Sequence, residues 1–135
     1  MRYVFRVGFV ILALLLTVTI PAGAEETWEK YSDNSHKSFM SADDFYEKVV
    51  DKNDYKETLD AKLNVREKTT FKKMTNAYKK FDIPVEYGGV GVHPDRQMYV
   101  FATTSKDGKS RLTAHYDAEK EMMMGKTTTP SNAMD

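Results

Sequence analysis

The chain is predicted to be an α+β domain: two or three helices in the first half, packed on one face of a three- or four-stranded antiparallel sheet made by the second half, behind a cleavable signal helix. Three observations carry this prediction. Apolar residues recur at spacings of three and four between Ser41 and Phe81. The composition turns to Val, Tyr and Thr beyond Pro84. Finally, Asp107-Gly108 sits between two runs of strand-forming residues, the signature of a hairpin.

The first element is an address. Arg2 and Arg6 precede an apolar run from Val7 to Ile20, followed by Pro21 and the triplet Ala22-Gly23-Ala24. Spanning a hydrocarbon core takes about 20 apolar residues, and this run offers roughly 14. The small residues Ala22 and Ala24 suit signal peptidase, and Pro21 keeps the site from continuing the helix, so cleavage is expected after Ala24. The product is then expected to be secreted or periplasmic, with no stable membrane anchor after cleavage. The chain has no cysteine, which excludes a thioether lipid anchor, thiol catalysis and disulfide staples. An exported domain without disulfides is held by its core alone and points to a bacterial envelope.

Removal of residues 1–24 leaves about 111, enough for one domain with a core and too few for two. The 20 basic and 20 acidic residues balance, and loss of Arg2 and Arg6 leaves 18 against 20, a net charge of −2. A nucleic-acid binder would carry a basic excess, so no nucleic-acid partner is expected. Residues 25–40 read as a polar arm, because Trp28, Tyr31, Phe39 and Met40 follow neither a helical nor an alternating pattern; Trp28 is expected to tuck into the domain and pin the arm.

The domain is assigned to residues 41–125. Ser41 is placed to cap a helix, with Asp43 and Asp44 in its first turn and Phe45, Tyr46, Val49 and Val50 as its apolar stripe. Tyr55, Leu59 and Leu63, then Phe71, Met74, Tyr78 and Phe81, predict two further helices broken near Asn64 and Val65, with Asn64 as a left-handed terminator. Leu59, Ala61, Leu63 and Val65 also alternate as a half-buried strand would; the Leu, Ala, Lys and Glu content of 58–66 favours helix. The lysines at 68, 72, 73, 79 and 80 fall away from the apolar stripe and read as a solvated face. Beyond Pro84, Gly88, Gly89 and Gly91 interrupt an extended segment and lack the Lys-Ser/Thr ending of a phosphate loop.

The hairpin spans Gln97 to Asp117, with Asp107-Gly108 as a two-residue turn at positive backbone angles. That turn sets Thr103 opposite Leu112, Phe101 opposite Ala114 and Tyr99 opposite Tyr116 on the core face. Thr104/Arg111, Ala102/Thr113, Val100/His115 and Met98/Asp117 then lie on a mixed opposite face. A turn at 118–120 leads to a short strand over 121–124, and 126–135 is expected to be a disordered tail.

No nucleophile elbow, zinc-protease helix or complete calcium loop occurs, and no cofactor is implied. The constellation with metal-ligand chemistry is the repeat His93-x-Asp95 and His115-x-Asp117, since residues two apart on a strand share a face and imidazole with carboxylate can hold zinc. Met122, Met123 and Met124 are thioethers that could take cuprous ion, or core residues with Met122 and Met124 on one face. The elements resemble cystatin-like and NTF2-like domains in their order alone, which assigns no function. Three function classes are left: a non-enzymatic module binding a protein, a peptide or an envelope component through the mixed sheet face or an edge strand, which is favoured; a small metal protein or metal enzyme built on the two His-x-Asp pairs; and a structural or inhibitory partner of a larger envelope protein, close in kind to the first.

Overall fold

Ser41 begins the first helix as its sequence requires. In a computed structural model of the protein, which describes residues 28, 30–81, 83 and 91–130, its Oγ accepts the Asp44 N–H at 3.1 Å and opens α1, Ala42–Lys48. Lys48 closes an i,i+4 pair onto Asp44 at 2.7 Å. Phe45, Tyr46 and Val50 turn inward and are buried. The signal segment, Gly88 and Gly89, and residues 131–135 of the expected tail lie outside the described residues.

The segment after α1 departs from expectation. Residues 54–64 form no helix: turns occupy 52–54 and 59–60, and Leu63–Thr70 is a strand, β1. The alternating pattern of Leu63 and Val65 wins, because it brings Val65 opposite Ala102 in a ladder to the central strand β2, Gln97–Thr104. Helix propensity is worth only tenths of a kcal/mol per residue and yields to such pairing. Leu59, counted above in a helical stripe, is 86% exposed. The left-handed residue is Asp60, at φ 55°, while Asn64 sits in β1 and accepts the Thr103 hydroxyl at 2.7 Å.

The next helical reading is placed correctly. A 3₁₀ turn at Phe71–Lys73 leads into α2, Met74–Lys79, whose Met74, Ala77 and Tyr78 are buried. Tyr78 donates its hydroxyl to the Ala114 carbonyl at 3.0 Å, fixing α2 to the sheet.

β2 continues into β3, Ser110–Asp117, in the register expected, with Thr103, Phe101 and Tyr99 opposite Leu112, Ala114 and Tyr116. The turn differs in detail. Only Gly108 has a positive φ, 73°; its N–H bonds the Ser105 carbonyl, and the Asp107 carboxylate accepts the Ser105 hydroxyl and the Lys109 N–H. A side chain thus supplies closure that a two-residue turn would draw from the backbone.

β4, Met122–Pro130, completes a four-stranded antiparallel sheet of order β1-β2-β3-β4. It takes in residues 126–130 of the expected tail, because Thr127, Thr128 and Thr129 are β-branched and pair with Thr113, Leu112 and Arg111. The register shifts where His115 pairs Gly125 and Tyr116 pairs Met123, leaving Met124 as the extra residue of a bulge. Met123 then packs on one core cluster and Met124 on the other, so the three methionines do not share a face.

The two helices cover opposite faces of the sheet rather than one. Tyr99, Phe101, Ala114 and Tyr116 meet Phe45, Tyr46, Val50 and Tyr55 around α1. On the other face Val65, Met98, Val100 and Ala102 meet Met74, Ala77, Tyr78 and Ile83 around α2. The cause is in β2 itself, since Met98-Tyr99-Val100-Phe101-Ala102 is apolar at every position and therefore needs cover on both sides.

Candidate functional site

Of the four residues with metal-ligand chemistry, Asp117 is the most deeply placed and already has a partner. It closes β3 with its carboxylate fully buried, and Arg96, just ahead of β2 and equally buried, meets it in a two-point fork. Arg96 Nε donates to Oδ2 at 2.5 Å and Nη2 to Oδ1 at 2.9 Å; Oδ1 also accepts the N–H groups of Glu119 and Lys120. Burial pushes this carboxyl pKa up, but the Arg96 hydrogen bonds and charge and the two backbone donors outweigh it, holding the group below the usual carboxylate range.

The same guanidinium reaches the arm. Arg96 Nη1 donates to the Ser32 carbonyl at 2.7 Å, and the cation lies 5.4 Å from the Tyr31 ring centre. Beside it, buried Asn34 accepts the Gln97 N–H at 2.7 Å while the Gln97 amide donates back to the Asn34 and Lys37 carbonyls. Tyr31 makes a parallel bridge to Val92, and Lys37 pairs with Glu119. Residues 31–40 are thus bound along the end of the sheet. Trp28 contributes an edge-on contact to His93, with ring centres 4.7 Å apart, and the larger hold comes from Asn34 and Arg96.

The other three candidate ligands are engaged elsewhere. His93 Nδ1 accepts the Asp95 N–H at 3.1 Å in a local turn, and the Asp95 carboxylate pairs with Lys72. His115 lies within the sheet against Gly125, where a methyl group would come within 2.4 Å of its Cε1. Among the described residues no group of three or more His, Cys, Asp or Glu is arranged to hold a metal ion. The two His-x-Asp pairs therefore do not converge. The chain matches no family model, no curated protein and no solved structure.

His115 has a different consequence. It is 9% exposed, and burial pushes its imidazole pKa down to about 4. The unfolded chain takes up this proton near pH 6.5, so the contribution of neutral His115 is complete above that pH and is lost as pH falls toward 4. The stability difference between pH 7.5 and pH 4 is expected to be about 3 kcal/mol, at 1.36 kcal/mol per unit of pKa shift. Urea midpoints across this range check it. His115→Leu is expected to flatten the dependence above pH 4, leaving the Asp117 contribution, which is lost only below that pH.

With both faces covered, the backbone still offered for binding is at the two edges of the sheet, and they differ. The β1 edge is strapped from both sides. Arg66 makes a two-point contact with Glu57 at 2.6 and 2.9 Å and reaches Asp43 and Glu47 of α1 at 3.2 and 3.3 Å; Lys80 beyond α2 pairs with Glu67 at 3.3 Å; Lys68 donates to the Phe39 carbonyl. Such charged cover is the usual protection of an edge. Along β4, the one side chain among the described residues that reaches across to another element as a donor is Lys126, whose Nζ reaches the Asp54 carbonyl at 3.1 Å. Lys126, Thr127 and Thr128 are exposed in succession.

Sequence reasoning did not single out Arg96, Asn34 or the inequality of the edges. Arg96 could have been found from the hairpin register, which places Met98 opposite Asp117 and leaves an arginine two residues upstream as the nearest cation.

Proposed function

We propose that this protein is an exported, non-enzymatic binding module that takes an extended segment of a partner protein along β4, as a fifth strand of its sheet. The observation that carries the proposal is the β4 edge, exposed from Lys126 to Thr128 and without a charged strap among the described residues, in contrast to the opposite β1 edge, which charged straps close. An edge strand offers alternate N–H and C=O groups outward, so affinity comes from the partner's backbone and selectivity from side chains beside it. Lys126 lies on the α1 face, in line with Ala114 and Phe101, and Thr127 on the α2 face, in line with Thr113. A partner strand with a carboxylate facing Lys126 and β-branched residues facing the threonines fits that edge. Export is supported by Arg2, Arg6, the run from Val7 to Ile20 and the Ala22-Gly23-Ala24 triplet.

Proline at adjacent positions tests the mode of binding. Of Thr127 and Thr128, one points its N–H toward β3 and the other outward. Proline at the outward position removes a donor that the partner needs and leaves the internal ladder intact. With 12-residue peptides selected from a random display library, one of Thr127→Pro and Thr128→Pro is expected to keep the wild-type Tm and lose binding at least tenfold. Binding at wild-type strength by both variants would contradict the proposal.

A further inference from the structure

A second surface lies across the molecule from β4, where the end of β1 meets the 3₁₀ turn and the region beyond α2. Ser35, Glu67, Lys68, Thr69, Thr70, Lys73, Lys80 and Gln97 line an open groove of about 460 Å³. Among the described residues every lining side chain is polar; three ammonium groups and three hydroxyls can donate hydrogen bonds, with one Lys68 donor resting on the Phe39 carbonyl, while the Gln97 amide is already engaged by the Asn34 and Lys37 carbonyls. The one carboxylate, Glu67, already has Lys80 at 3.3 Å. Lys72 and Lys79, exposed on the same turn and helix, extend the positive field, and Lys72 in turn neutralises Asp95. Five lysines against two carboxylates leave an excess of three positive charges on a chain whose formal net charge is zero. Thr70 Oγ1, on the groove wall, has no hydrogen-bond partner among the described residues.

We infer that this groove binds a phosphate-bearing polymer without bases, such as a polyol-phosphate chain. Lysine ammonium groups are compact point charges on flexible stems and suit a ligand whose phosphates do not hold one fixed geometry, whereas rigid two-point recognition calls for arginine. The groove is open rather than enclosed, as a continuous chain requires. Among the described residues no aromatic side chain lines it, so nucleobases would find no stacking platform there, and stacking carries much of single-stranded nucleic-acid binding. Among the same described residues no apolar side chain lines it either, so a membrane would gain nothing by insertion against them. The hydroxyls of Ser35 and Thr69 supply neutral donors between the cations.

The experiment measures binding of a glycerol-phosphate oligomer of about ten units to the purified protein by calorimetry. Parallel titrations use inorganic phosphate, an oligodeoxynucleotide of equal charge and vesicles of phosphatidylglycerol. Three phosphate contacts predict an affinity about 20-fold weaker at 200 mM than at 50 mM salt. The triple variant Lys68→Gln/Lys73→Gln/Lys80→Gln is expected to weaken binding at least tenfold, while Lys56→Gln/Lys106→Gln/Lys109→Gln, with the same loss of charge on other exposed sites, leaves it within twofold. Equal losses in the two triples would overturn the inference, as would no binding of the oligomer. An oligonucleotide that binds as tightly, vesicles that bind more tightly, or inorganic phosphate that alone displaces the oligomer at equal phosphate concentration would also overturn it.

Discussion

Asp117→Ala is expected to destabilise the protein by about 3–5 kcal/mol, the range for removing one partner of a buried ion pair. Arg96 would be left 1% exposed, with Glu119 at 3.2 Å, the Ser32 carbonyl and the Tyr31 ring as its remaining partners among the described residues. The loss is local in origin and wide in effect, because the same guanidinium binds the arm. The N–H groups of Glu119 and Lys120, which cap the turn into β4 on Asp117 Oδ1, would lose their acceptor as well. Urea unfolding at pH 7 measures the change. The paired replacement Arg96→Met/Asp117→Leu is expected to recover a substantial part of it, since two apolar groups leave no charge unanswered. A loss under 1 kcal/mol in Asp117→Ala would mean that the pair does not hold the arm as described. The depressed Asp117 pKa adds a dependence on acid: the unfolded carboxyl protonates near its ordinary value of about 4, the folded one below it, so the pair's contribution is present above that pH and disappears on further acidification.

Phe45→Ala is expected to cost a similar amount, about 3–5 kcal/mol, by opening a cavity under α1. Phe45 is 1% exposed, its ring stacks on Tyr99 with centres 4.0 Å apart, and Phe101 and Tyr116 lie at 6.2 and 5.6 Å. A helix of seven residues has almost no stability of its own, so α1 stays folded because this side chain and Tyr46 are buried. Loosening α1 also withdraws Asp43 and Glu47 from Arg66. The β1 edge would lose part of its cover, and the variant is expected to aggregate on heating where the wild type does not. Calorimetry at two scan rates, with light scattering, follows both effects.

How much of this was legible in the sequence depends on the range of the interaction responsible. Ser41 with Asp44 signals a helix start within four residues, and Asp107-Gly108 sets a register within ten; both are local, and both appear in the structure at the positions expected. Residues 58–66 carried two patterns of nearly equal weight, and the decision came from β2, more than thirty residues away, which no local window contains. The five-residue apolar run at Met98–Ala102 did carry the information that both faces are covered; reading it as one core face and one mixed face missed it. β4 was legible as far as Met124. Its continuation depended on Thr127–Thr129 finding partners on β3, and a threonine-rich segment beside a proline looks the same alone as a tail. The metal hypothesis depended on two dipeptide-spaced pairs meeting in space, and the fold commits their carboxylates to Arg96 and Lys72 instead.

The central claim is that β4 is the binding edge, and backbone NMR of the labelled protein with a selected peptide tests it most directly. Amide shifts and slowed hydrogen exchange are expected to concentrate on Lys126–Thr129 with an alternating pattern, accompanied by cross-strand proton contacts between the peptide backbone and β4. Perturbation centred on Leu63–Thr70, or on α1 and α2 with β4 unchanged, would contradict the account.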